Sequence, residues 1–179
     1  EELAYKTRGK NMLSRVMKHP GPLGRKATKI REPLPNFLLS EEDNIILCGK
    51  IDWLEYDEKT DSIYVLDFKT GKMDERPDSL QLPIYYLLVK ACQKRPVAGV
   101  RYWYIDRDDS PIDMPLPDEN EGRKRVLEVA KMIALARKLE RFVCNSKDGC
   151  AACRPMEAIK LGKGKFVGES EFHQDIYIV

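Results

Sequence analysis

Two aspartates and a lysine interrupt stretches that are otherwise apolar: Gly49-Lys50-Ile51-Asp52 and Val65-Leu66-Asp67-Phe68-Lys69-Thr70-Gly71. A charge in a half-buried strand costs free energy unless it is paired or holds a metal. Two carboxylates brought together can hold a divalent cation and activate a water. A lysine beside them can orient that water and stabilise charge developing on a phosphate. Asp52, Asp67 and Lys69 are therefore the candidate catalytic residues. The chemistry they imply is metal-dependent hydrolysis of a phosphodiester.

The elements that must position them are strands. Ile45 to Tyr56 and Ser62 to Phe68 are rich in β-branched and aromatic residues and read as two strands. The polar turn Asp57–Asp61 lies between them. If Asp57 pairs with Ser62, the antiparallel register sets Asp52 opposite Asp67, with Cβ atoms roughly 4.5–5.5 Å apart. Like charges repel at that distance, which makes sense if a cation sits between them. Asp67 and Lys69 are two apart and share one face, so all three groups converge. A solvated surface ion pair is the competing explanation, since an Asp-x-Lys triplet alone recurs by chance. A helix follows over about 79–93, with Asp78 or Ser79 as its cap and Asp78 and Gln81 at capping-box spacing. Pro83 is tolerable in its first turn. Gln81 and Tyr85 lie four apart and share a helix face. Taken alone they read as a cap residue and a core aromatic.

The ordered set Gly-x-Ile-Asp, Asp-x-Lys-Thr-Gly and Gln-x-x-x-Tyr, over roughly Ile45 to Leu88, resembles the RecB-type branch of the PD-(D/E)XK nuclease superfamily, including AddB-like and CRISPR-associated nucleases. The resemblance implies an α/β (α+β) fold with a restriction-endonuclease-like core, a central mixed β-sheet flanked by helices. It implies a DNA nuclease, an exonuclease rather than a sequence-specific endonuclease, acting in repair, recombination or defence. Asp52, Asp67 and the Phe68 backbone carbonyl would be metal ligands, and Lys69 would orient or activate the attacking water. Gln81 and Tyr85 would shape the site and contact DNA. Carboxylates, a carbonyl and waters suit Mg²⁺ or Mn²⁺. Glu32 is a further metal-ligand candidate, because relatives often carry a Glu ahead of the first strand. One departure stands out. Many relatives have a His on the first helix in a Gly-x-x-x-His context, and here Gly9 is followed by Leu13, while His19 reads as a loop residue. The alternative expectation is thus a catalytically weak or inactive nuclease-like module that binds DNA or a partner.

Cys144, Cys150 and Cys153 form a tight group after a long helix, and Cys48 and Cys92 read as core residues. No signal peptide or long apolar run appears, so a cytoplasmic chain without a membrane span is expected. A reducing compartment argues against structural disulfides. Three close thiols then point to zinc or an iron–sulfur site, or to ordinary reduced thiols. The resemblance adds a 4Fe-4S expectation, since several RecB-type nucleases tie their ends together through a cluster. His173 is the candidate fourth ligand for zinc. A small zinc-stabilised structural domain is a third reading of the chain.

The 179 residues carry a net charge of +2, which does not by itself mark a nucleic-acid binder. The distribution says more: residues 1–32 hold nine Lys/Arg against three Glu, and residues 106–121 hold seven acids against Arg107. Residues 123–141 hold seven Lys/Arg against two Glu. Basic stretches beside a carboxylate site can follow a phosphate backbone, although such runs are usually solvated helix faces. The expected map is one domain over 1–179 with a Cys-containing segment at 143–179. Helices are expected at Glu2–Lys18 and Glu121–Phe142, the latter with Val126, Leu127, Val129, Ala130, Ile133, Ala136 and Leu139 on its apolar side. Further strands are expected at Val100–Ile105 and Asp175–Val179, with a mobile loop from Asp106 to Asn120. The start at Glu1-Glu2 leaves open a fragment of a larger protein, with a helicase or other repair subunit as partner. No Gly-x-x-x-x-Gly-Lys-Ser/Thr motif is present, which removes an ATPase, and two His without a Cys or Ser motif give no nucleophilic pair.

Overall fold

The computed structural model describes residues 2–144, 146 and 149–179. Contacts divide the chain into two compact units, Glu1–Met132 and Ile133–Val179. The boundary falls ahead of the segment expected at 143 and inside a helix.

The first unit is built on a five-stranded mixed sheet in the order β1-β4-β5-β6-β7. Its strands are β1 (Ala27–Thr28), β4 (Trp53–Asp57), β5 (Ser62–Lys69), β6 (Val97–Tyr104) and β7 (Ile112–Met114). β4 and β5 form the expected antiparallel hairpin, with Asp57 opposite Ser62 and Trp53 opposite Leu66. β5 and β6 are parallel, and helix α2 (Gln81–Cys92) makes the crossover between them. A parallel pair needs such a connection. Ile63 and Val65 of β5, Val100 and Tyr102 of β6, and Leu54 of β4 face Leu82 and Val89 of α2 in the main core. The other face of α2 meets a second cluster. There Leu87 packs with Leu39 of β2 (Asn36–Ser40) and Val126 of α3 (Glu119–Lys138). This is the mixed α/β architecture of a restriction-endonuclease-like core.

Several expectations are corrected. The apolar run Ile45–Tyr56 is not one strand. It splits into β3 (Ile45–Cys48), which pairs with β2 in a separate two-stranded sheet, and β4. The break lies where the chain crosses α2 closely: a Cβ on Gly49 would stand 3.1 Å from Leu88 Cδ1. Cys48 is exposed on β3 rather than in the core, and Cys92 is half-buried. The segment 106–120 is not wholly loop, because β7 pairs with β6 at the sheet edge. Helix α3 starts earlier than expected, where Asp118 accepts the Glu121 N–H at 2.8 Å, and stops at Lys138. Of its expected apolar side only Val126 is buried, while Ile133 and Leu139 are exposed. The capping box at α2 does not form, for the Asp78 carboxylate takes Arg76 instead. Ser79 Oγ accepts the Gln81 N–H at 3.3 Å, and the Gln81 side chain is engaged elsewhere.

Helix α1 (Glu2–Lys18) has the expected bounds and no buried residue. In the second unit, α4 (Cys153–Lys160) precedes a hairpin of β8 (Lys165–Glu169) and β9 (Asp175–Ile178). The last strand was expected and its partner was not. Among the described residues no helix is long and apolar enough to cross a membrane.

Candidate active site

The face of β5 that carries Ile63 and Val65 into the core continues with Asp67 and Lys69 (the pleat alternates sides every residue), so one strand face passes from apolar to charged. Asp67 is buried, at 2% exposure. Asp52 lies one residue before β4 and is exposed. Its Oδ2 accepts the Phe68 N–H at 3.0 Å, which ties it to the end of β5 as the hairpin register requires. Backbone groups along a strand alternate between its two neighbours. Lys69 O accepts the Ile105 N–H beyond the end of β6, so the Phe68 carbonyl, like its N–H, faces the β4 side. There it lies past Trp53, the last residue of β4 in the ladder. Asp52, Asp67 and the Phe68 carbonyl thus gather at one end of the hairpin.

Lys69 Nζ lies 3.0 Å from Asp67 Oδ2, yet Asp67 Oδ2 is a buried oxygen with no hydrogen-bond partner. The contact is an ion pair whose direction leaves lone pairs on that oxygen free. The other oxygen, Oδ1, accepts Gln81 Nε2–H at 2.8 Å, and the same amide lies 3.3 Å from the Tyr85 hydroxyl. Gln81 Oε1 accepts from Lys69. The Gln-x-x-x-Tyr pair therefore bridges the carboxylate and the ammonium, neither a plain cap nor a plain core pair. Glu75, from the loop between β5 and α2, adds a contact of 2.7 Å to Lys69 Nζ. Sequence reasoning missed Glu75, because an acid in an irregular loop has no periodic signal.

Burial pushes the Asp67 carboxyl above its usual value, Lys69 pulls it down and the Asp52 charge pushes it up, with a net rise. Burial also draws the Lys69 ammonium down, but the contacts with Glu75 and Asp67 outweigh it and lift Lys69 well above the ordinary range. Its two carboxylate partners thus hold Lys69 as an ammonium. Glu75 is held low by Lys69. Burial raises the Tyr85 phenol.

Glu32 is exposed in the segment between β1 and β2. It lines a cleft that Lys50 and Asp52 also line. Leu13, in the place of the expected His, is exposed on α1. His19 follows the end of α1, with Nε2 3.8 Å from Asp109.

A family model for the PD-(D/E)XK nuclease superfamily matches residues 5–157. The chain belongs to this superfamily. No match was found among curated proteins or solved structures. Superfamily members are generally phosphodiesterase nucleases that use Mg²⁺ or Mn²⁺, and DNA is the substrate the family implies. The donor set here fits such a cation. It offers two carboxylates, one with an orphaned buried oxygen, and a carbonyl outside the ladder, all hard oxygen ligands.

In the second unit the sulfurs of Cys144, Cys150 and Cys153 lie within 4.8 Å of one another. Cys150 Sγ and Cys153 Sγ are in hydrogen-bond contact at 3.5 Å, with no disulfide between them. Backbone and thiol hydrogen bonds from Cys153 bring the Cys150 thiol down to about 7. Cys153, facing both other sulfurs, is pushed up to about 11. The group is compatible with a metal or an iron–sulfur cluster. His173 stands outside it, at 2.5 Å from Glu169, so the structure does not bring the expected fourth ligand to the thiols.

Proposed function

We propose that this domain is a metal-dependent deoxyribonuclease of the RecB-like type, acting exonucleolytically on DNA in repair, recombination or defence. The observation that carries the reading is Asp52 bonded to the Phe68 N–H at the end of the hairpin, beside the buried Asp67, with Lys69 3.0 Å from an Asp67 oxygen. Asp52, Asp67 and the Phe68 carbonyl would hold Mg²⁺ or Mn²⁺, with Glu32 a further candidate from across the cleft. The ion would supply Lewis acidity toward the phosphate and lower the pKa of a water.

The side chains do the rest. Lys69 is a fixed cation, so it orients the attacking water and offsets charge growing on the phosphate oxygens. Gln81 keeps the Asp67 carboxylate turned so that Oδ1 is occupied and Oδ2 meets only the Lys69 ammonium. Tyr85, held to the same amide, presents its hydroxyl beside the site, where it can meet the DNA strand. The Cys144/Cys150/Cys153 group would bind zinc or a 4Fe-4S cluster. A brown colour with absorption near 400 nm distinguishes the cluster from colourless bound zinc.

The test is digestion of end-labelled single- and double-stranded DNA with Mg²⁺ or Mn²⁺, comparing wild type with Lys69→Ala. Cleavage by wild type alone supports the reading, and the product ladder reports exo- or endonucleolytic action. Equal cleavage by both would remove the site from catalysis. No cleavage by either would favour a binding module in a larger helicase–nuclease assembly.

A further inference from the structure

Lys69 has three N–H donors and no other polar function. Three oxygens surround its ammonium: Asp67 Oδ2 at 3.0 Å, Glu75 Oε2 at 2.7 Å, and Gln81 Oε1. The Tyr102 ring lies beneath it, with Nζ 4.9 Å from the centroid. Asp67 is shared between Lys69 and the cation that the proposed function requires. When the cation takes Asp67 Oδ2, Lys69 loses that partner, and only Gln81 and Glu75 remain to hold it. Gln81 is neutral and is itself bonded to Asp67 and Tyr85. Glu75 is the one anion left.

Glu75 is itself anchored. Its backbone N–H donates to the Tyr104 hydroxyl at 2.9 Å, and Tyr104 is buried in the main core at the end of β6. The loop between β5 and α2 is thus pinned where its carboxylate meets the ammonium. An acid with no part in secondary structure is held half-buried against the one cation of the site.

We propose that Glu75 is a positioning residue that anchors the Lys69 ammonium from the side opposite Asp67, so that the lysine can yield the Asp67 oxygen to the cation and still stay aimed at the phosphate. The proposal rests on the nuclease reading above. Without Glu75, Lys69 has no second carboxylate to turn to, stays on Asp67 and competes with the cation for its oxygen. Loss of Glu75 therefore weakens the metal site from outside it. Removing residues that orient metal ligands typically costs about 10–100-fold in metal affinity or activity.

The experiment measures Mn²⁺ binding by calorimetry without DNA, and oligonucleotide cleavage, for wild type, Glu75→Ala, Glu75→Gln and Lys69→Ala. Glu75→Ala is expected to weaken Mn²⁺ binding and lower kcat at saturating metal, each by about 10–100-fold, with KM for DNA within about twofold. Glu75→Gln keeps an acceptor of the same shape and is expected to fall between Glu75→Ala and wild type. It also decides the matter if the alanine variant does not fold. Mn²⁺ affinity and kcat within about twofold of wild type in a folded Glu75 variant, while Lys69→Ala is inactive, would overturn the role of Glu75 and leave the nuclease reading standing. A loss confined to KM would also overturn it, because that assigns Glu75 to substrate binding. Full cleavage by Lys69→Ala, or no Mn²⁺ binding by wild type, would instead overturn the nuclease reading and Glu75's role with it.

Discussion

The carboxylate pair makes the metal site testable without any substrate. The β4–β5 register, continued one residue past the last pair of Trp53 and Leu66, sets Asp52 opposite Asp67. At opposed positions and an effective dielectric constant near 20, two unit charges roughly 5 Å apart repel by about 3 kcal/mol. Exposure of Asp52 and the nearby Lys69 reduce that figure, yet the metal-free site retains a like-charge cost that a divalent cation removes. A cation present at 100 times its Kd that binds only the folded state adds about 2.7 kcal/mol to stability. For a chain of this length, each kcal/mol moves the melting temperature by roughly 2–4 °C. The expected shift is therefore about 5–11 °C. Differential scanning fluorimetry with increasing Mg²⁺ reads it, and Mg²⁺ is preferred because thiolates compete poorly for a hard cation. Asp67→Asn and Asp52→Asn are expected to lose the shift. An unmoved wild-type transition, or an equal shift in both asparagine variants, would refute the argument that these two carboxylates form the site.

Other consequences follow from packing and electrostatics. Leu88 is fully buried on α2, so Leu88→Ala is expected to cost about 2–5 kcal/mol in denaturant unfolding. A Cβ on Gly99 would stand 2.8 Å from the Tyr64 ring, and that ring stacks under Arg101 at 3.9 Å. Gly99→Ala is therefore expected to destabilise by about 1–3 kcal/mol, measured the same way. Helix α1 buries no residue and is tied through Arg8 to Asp106 and Thr70 and through Arg15 to Asp109. Surface ion pairs contribute about 0–1 kcal/mol each, so hydrogen exchange is expected to show weak protection of α1, weaker still at 1 M salt. In the hairpin turn, the Lys59 N–H and the Thr60 hydroxyl hold the Asp57 carboxyl below its usual value. A depressed pKa gives stability that is complete above the unfolded value of about 3.9 and is lost as pH falls through the lower folded value. Protection of the Lys59 amide is expected to follow that course in an acid titration and to be lost throughout in Asp57→Ala.

What the sequence made legible was the part governed by local rules. The turn at 57–61, flanked by β-branched residues, was enough to set the register. The register set Asp52 against Asp67, and the two-residue period put Lys69 on the same face. The four-residue spacing of Gln81 and Tyr85 likewise anticipated their contact. The rest depended on distant partners. The run from Ile45 to Tyr56 looks continuous because both of its halves are apolar. What divides it is the close approach of Gly49 to Leu88, thirty-nine residues away. Gln81 had capping-box spacing, but a buried carboxylate and an ammonium offered its amide stronger partners than a backbone N–H. Glu75 was hidden for a related reason: its role comes from Tyr104 and Lys69, which only the fold brings to it.

The same local rules explain why the site lies at the open end of the hairpin. Near the turn, β5 spends its α2-facing positions on Ile63 and Val65, both fully buried. That burial holds the strand in register, since a slip of one residue would turn this apolar set out of the core. Two positions further on, the same face presents Asp67 and Lys69, whose desolvation is unfavourable and gains nothing from packing. The apolar half of the strand therefore supplies the rigidity that the charged half needs. The hairpin also ends its ladder at Trp53, one residue short of Asp52. That leaves the Phe68 carbonyl past the last rung, on the side where the Asp52 carboxylate takes the Phe68 N–H. An extra rung of β4 would satisfy that carbonyl and remove it from the proposed ligand set, so the proposed cation site depends on the short ladder.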